Sequence, residues 1–292
     1  MKPIVSLGVV IFAALFFAGV ASGEVPQAEG QRFRVYYQGE EYFCVPQGDE
    51  AYALYKDEKK WATFYRLRPF KKMSYPELTD RMPITANVRC FALEYEDGKS
   101  VFAGYINNSS ELRDAMDLIS RNQWEYHELV ICEFTPGLKD LKKLANVQLD
   151  DLAFVRSSFP SDMPAQCYPS CRRLSLLITA IPSDFLEGLA ENRTIEGLRI
   201  LSPPTALSNA DFVSISKMKS LKILELWTTW QKDLDLSPLA ELPHLEGLQL
   251  GGDLKALDLG FLSKMPALEI LSVPEDCQLP ETLKKEVQVL RE

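Results

Sequence analysis

The chain has 292 residues, 46% of them hydrophobic and 25% charged, a globular balance that excludes a disordered tail. Acidic side chains outnumber basic ones by 41 to 32, for a formal net charge of -9. A field of that sign repels phosphate backbones and excludes nucleic acid as a partner, and its even spread along the chain reads as a solvated surface.

The first element is a leader. Lys2 gives a positive start, Ile4 to Val20 carry no charge, and Ala21, Ser22 and Gly23 supply the small residues of a signal-peptidase site. Residues 1-23 are therefore expected to be a signal peptide, with a retained anchor as the alternative. The mature chain would be exported, to be secreted, periplasmic or at the cell surface, with no later stretch long enough to span a bilayer.

Residues 24-105 concentrate aromatic and β-branched side chains, in RFRVYYQGEEYFCV (Arg32 to Val45) and WATFYRLRPF (Trp61 to Phe70). The Gln38-Gly39 and Asp97-Gly98 pairs each separate two such runs as hairpin turns would, which predicts a small β-rich domain. Its role is either an end cap for the C-terminal half of the chain or binding in its own right. Ser109 or Ser110 then suits the cap of a lead-in helix through Leu112, Met116 and Ile119.

From residue 126 an apolar-x-x-apolar-x-apolar unit returns seven times. The units are Tyr126, Leu129, Ile131; Leu149, Leu152, Phe154; Cys171, Leu174, Leu176; Ile195, Leu198, Ile200; Leu221, Leu224, Leu226; Leu245, Leu248, Leu250; and Leu268, Leu271, Val273. They start 23, 22, 24, 26, 24 and 23 residues apart. The alternation inside each unit is that of a short strand with one buried face. No single unit can cover that face or pair its edges, but parallel stacking does both. Between the units, Leu138, Leu141, Leu144; Phe212, Ile215, Met218; Leu236, Leu239, Leu242; and Leu259, Leu262, Met265 recur at a spacing of three, as in short helical turns with one buried stripe. Ser237 and Pro238 suit the N-cap and first position of one such turn.

This pattern resembles the leucine-rich-repeat family over residues 126-280, and SPLAELPHLEGLQL (Ser237 to Leu250) is similar to the short repeats of internalin-type proteins. The resemblance implies an α/β solenoid, a horseshoe with a parallel concave sheet, over 106-280, with residues 281-292 as its C-terminal cap. Leu283, Val287 and Leu290 suit a short amphipathic helix there. The family's asparagine position holds Phe134, Ser157, Thr179, Pro203, Thr229, Asp253 and Asp276 instead. Ser, Thr and Asp can hydrogen-bond the turn backbone; Phe134 and Pro203 cannot.

No catalytic, cofactor-binding or metal-binding pattern is present. The two histidines, His127 and His244, lie apart, and the strand spacing from His127 to Cys132 puts their side chains on opposite faces. Of six cysteines, Cys167 and Cys171 are the best local disulfide pair, because Pro169 bends the loop between them.

Two outward columns emerge from the register. One runs Val130, Ala153, Ser175, Arg199, Glu225, Gln249, Ser272; the other runs Cys132, Val155, Leu177, Leu201, Trp227, Gly251, Pro274. The middle of the second is apolar, Trp230 comes just after it, and Arg173, Arg199 and Glu225 flank it, the composition of a binding hot spot. Protein or peptide is the expected partner and a glycan the alternative ligand. The second functional class is a structural envelope component, with the repeats as a rigid spacer and assembly through the N-terminal domain.

Overall fold

A strand that buries alternate leucines needs neighbours that do the same, and the computed structural model places the last two residues of all seven apolar triplets on adjacent strands, with Ile195, Leu221, Leu245 and Leu268 two residues before theirs. It describes residues 33-37, 40-46, 51-56, 59-66, 90-95, 100-121, 126-283 and 286-291. The leader expected at residues 1-23 lies outside these. The chain divides into two compact units, residues 1-105 with 122-126, and residues 106-121 with 127-292.

The first unit is an antiparallel meander of β1 (Phe33–Tyr37), β2 (Glu40–Pro46), β3 (Ala51–Lys56), β4 (Lys59–Arg66), β5 (Cys90–Tyr95) and β6 (Ser100–Ile106). Strands flank both expected turns: Tyr37 pairs with Glu40 across Gln38-Gly39, and Glu94 with Ser100 across the Asp97-Gly98 segment.

The second unit opens with helix α1 (Ser109–Arg121), which buries Leu112, Met116 and Ile119. Its cap is Asn108, one residue before the serines expected there. The Asn108 side-chain oxygen accepts from the backbone N–H groups of Ser110 and Glu111 at 3.0 Å each, leaving Ser109 inside the helix.

Eight parallel strands come next: β7 (Tyr126–Cys132), β8 (Leu149–Val155), β9 (Cys171–Leu177), β10 (Gly197–Leu201), β11 (Ile223–Trp227), β12 (Gly247–Gly251), β13 (Ile270–Val273) and β14 (Gln288–Arg291). Each pairs in parallel with the next, in sequence order. The pairing sets Leu174, Leu198, Leu224, Leu248 and Leu271 side by side, none more than 2% exposed. Full burial of each such side chain is worth about 1.5 to 3 kcal/mol, so this column and its partner through Leu176, Ile200, Leu226 and Leu250 contribute substantially to the stability of the unit.

The connections return through short helical segments, as their spacing of three predicts. They include α2 (Leu138–Leu144), α3 (Phe185–Leu189), α4 (Asn209–Ser216) and 3-10 turns at Ser237–Glu241 and Gly260–Lys264. Leu141, Leu144, Phe212, Ile215, Leu239 and Leu262 are fully buried, whereas Leu138, at the first position of α2, is 42% exposed. At α4 the Ser208 backbone N–H donates to the Asp211 carboxylate at 2.7 Å, one half of a capping box. Just before the Ser237–Glu241 turn, the Asp235 carboxylate accepts the Ser237 N–H at 2.9 Å. The N-cap position is Leu236, one residue before Ser237, and Pro238 is the second turn residue rather than the first. An α/β solenoid fits this arrangement.

Two expectations are corrected. Residues 281-292 end in a strand, not a helix: β14 pairs in parallel with β13 and extends the sheet by one strand. Its alternation buries part of Val289 and leaves Leu290 41% exposed, and the Arg291 guanidinium donates to the carbonyls of Pro274, Glu275 and Cys277. Cys167 and Cys171 are both free thiols. Cys171 is the first apolar residue of its strand and is wholly buried in the core, which pushes its thiol up out of the ordinary range, while the Cys167 Sγ is turned to the carbonyl of Leu138 at 3.6 Å.

The missing asparagine ladder has a substitute. Thr179 Oγ1 donates toward the carbonyls of Phe154 and Leu177 at 2.8 and 3.0 Å, and Ser157 Oγ bridges those of Ile131 and Val155 at 3.2 and 3.1 Å. A left-handed residue precedes this position in four successive turns: Glu133, Arg156, Ile178 and Ser202, with φ between 48 and 52°. Their N–H groups carry the ladder one step past the strands, to Val155, Leu177, Leu201 and Trp227. At Phe134 and Pro203, which offer no side-chain oxygen, the backbone bonds of Glu133 and Ser202 are still made.

Candidate binding face

Side chains alternate across a strand, so the residues between the buried leucines form the opposite face of the sheet. Three columns occupy it, one more than the repeat pattern marks. The first runs Glu128, Asp151, Arg173, Gly197, Ile223, Gly247, Ile270 in register; the other two contain Arg199 and Glu225, and Leu201 and Trp227.

Trp227 is the most exposed of the expected contact residues, at 43%. Its register partner on β12 is Gly251, where an added Cβ would stand 2.3 Å from two atoms of the indole and 2.6 Å from Nε1. The ring therefore lies across Gly251 and keeps its other side outward. Leu201, its neighbour on β10, is half-buried.

Other expected contact residues are engaged within the chain. Leu177 is only 3% exposed, because apolar register neighbours Val155 and Leu201 flank it on both sides. It is not available to a partner. Trp230 stacks on Phe212 with centroids 6.3 Å apart, and its Nε1 donates to the carbonyl of Gly251 at 2.8 Å, so it fastens one turn to the next. Gly252 completes that turn at φ +97°; a Cβ there would stand 2.9 Å from the Thr228 carbonyl oxygen.

The charged residues pair across strands. Arg173 forks onto Asp151 with contacts of 2.5 and 2.8 Å, while its stem covers Gly197. Arg199 donates to Glu225, its register partner, and both side chains are nearly nine-tenths buried. These pairs build a floor beside Trp227 rather than offering free charges. At the β7 end, burial pushes Glu128 up to about 7, partly offset by Arg173, and raises Asp151 as well despite its guanidinium partner. No residue pattern signals this acidic pair, because adjacency of Glu128 and Asp151 depends on register.

His127 has its ring nitrogen 3.9 Å from the Asp150 carboxylate and burial lowers its pKa; His244 is exposed. Among the described residues no three metal-capable side chains gather, and no helix is long and apolar enough to cross a membrane.

No protein-family model and no curated protein matches the chain. Among solved structures it is similar to a chain of the Toll–Spatzle complex, a structure described as a molecular hub in Drosophila development and innate immunity. The similarity is at 12% identity and a TM-score of 0.38. It covers 82% of this chain and 32% of that one, so the present chain spans about a third of the length of its match.

Proposed function

We propose that the chain is an exported, non-catalytic recognition protein that holds another protein on the open face of its parallel sheet, a concave face in the solenoid reading. One observation carries this: an indole 43% exposed, braced on a glycine of the next strand, beside a buried ion pair that fixes the surrounding surface. A rigid aromatic set in an ordered polar frame is the makeup of an interface anchor. The repeats are read as the short internalin type, which the 3-10 turns at Ser237–Glu241 and Gly260–Lys264 support. Export rests on the leader composition of residues 1-23.

The test compares full-length wild type, Trp227→Ala and Val213→Ala as immobilised baits; Val213 is also 43% exposed but lies on α4, away from this face. The reading expects a partner retained by wild type and Val213→Ala and lost by Trp227→Ala. Retention by all three would move recognition elsewhere in the chain.

A further inference from the structure

The two ends of the central strands differ in charge. In the eight residues after each of β10 to β13, there are two carboxylates after β11, two after β12 and three after β13, against only Lys232 and Lys255. All of these side chains are exposed, and Lys255 is already taken by Asp276 at 2.8 Å. In the eight residues that precede the same strands, five acids meet five bases. Arg291, at the end of β14, adds a third base beside Pro274, Glu275 and Cys277, so seven carboxylates stand against three bases where the strands end.

Apolar surface is exposed on that same rim. Trp227 is the last residue of β11, and Ile178, the residue after β9, is 40% exposed. Ile178 holds φ 50°, a left-handed conformation that costs a β-branched residue on the order of 1 to 3 kcal/mol.

We propose that the C-terminal ends of β10 to β13 dock an extended, basic segment of a partner protein, whose lysine or arginine side chain lies over the free side of the Trp227 ring. The acidic rim supplies the long-range attraction and the indole supplies a cation-π contact. A neutral saccharide would gain nothing from the seven carboxylates, and an acidic segment would be repelled. This rests on the open-face reading and specifies its ligand.

The test uses the full-length chain and synthetic peptides of one apolar framework carrying lysine and arginine, glutamate, or only uncharged residues, with a neutral oligosaccharide alongside. The basic peptide is expected to bind at least about tenfold tighter than the uncharged one and to weaken as salt rises. The exposed-site double variant Asp233→Asn with Glu275→Gln should weaken it about threefold or more, and Trp227→Ala about tenfold or more, with thermal melts confirming both variants folded. Equal binding of basic and uncharged peptides, no loss in the double variant, or retention of the oligosaccharide alone overturns the proposal. Failure of every peptide, while Trp227→Ala still loses the captured partner, sinks only the basic-segment claim. Binding indifferent to Trp227→Ala sinks the open-face reading too.

Discussion

The indole of Trp227 lies across Gly251, its register partner on the next strand, so closely that any side chain at 251 would occupy the ring's place. The contact is with a side chain rather than backbone, and the ring can swing away. Gly251→Ala should therefore displace the indole at little cost in stability and mimic Trp227→Ala in binding. Affinity for a captured partner together with a thermal melt checks this; unchanged affinity would mean that the ring's seat on Gly251 is not what orients it.

Leu224 is fully buried between Leu198 and Leu248. Leu224→Ala should cost about 2 to 5 kcal/mol in urea denaturation, the range for a large-to-small change in a packed core. A loss near zero would contradict the register.

Thr179 Oγ1 ties two turns of the solenoid through a wholly buried hydroxyl. Thr179→Val keeps the volume and removes the oxygen, so it should destabilise by about 1 to 3 kcal/mol. Thr229→Val, at the equivalent but exposed position, should change little.

Glu128 gives stability a sign with pH. Its carboxyl titrates near 4.5 when free and at about 7 in the folded chain, so the native state holds this proton longer than the unfolded state. Its contribution is complete below about pH 4.5 and is lost as pH rises through about 7, amounting to about 3 kcal/mol. Glu128→Gln should flatten that slope and be more stable than wild type at pH 8. Denaturation curves at several pH values read it directly, and parallel slopes for the two proteins would refute the assignment.

Much of this architecture is legible from residue types alone. Seven triplets at near-constant spacing place β7 to β13, because leucine at alternate positions has one good solution when it recurs every turn. The β14 strand is not legible: Leu283, Val287 and Leu290 suit a helix by spacing, and only pairing with the open edge of β13 makes that segment extended. In the site, Trp227 stands out because a large aromatic occupies an outward slot. Leu177 and Trp230 depart from the exposure expected of them for different reasons, one flanked by apolar neighbours on both sides and the other drawn down by the Gly251 carbonyl and Phe212. The left-handed turn at Ile178 leaves no mark in the sequence, since a β-branched residue is the last type expected there.

The most direct test measures two quantities on Trp227→Ala: the melting temperature, and the dissociation constant for the partner captured by the wild-type chain. Recognition on the open face predicts a loss of at least about 2 kcal/mol in binding, a factor of about thirty, with the melting temperature nearly unchanged. A clear fall in melting temperature with the dissociation constant unaltered would contradict it and make Trp227 a packing residue.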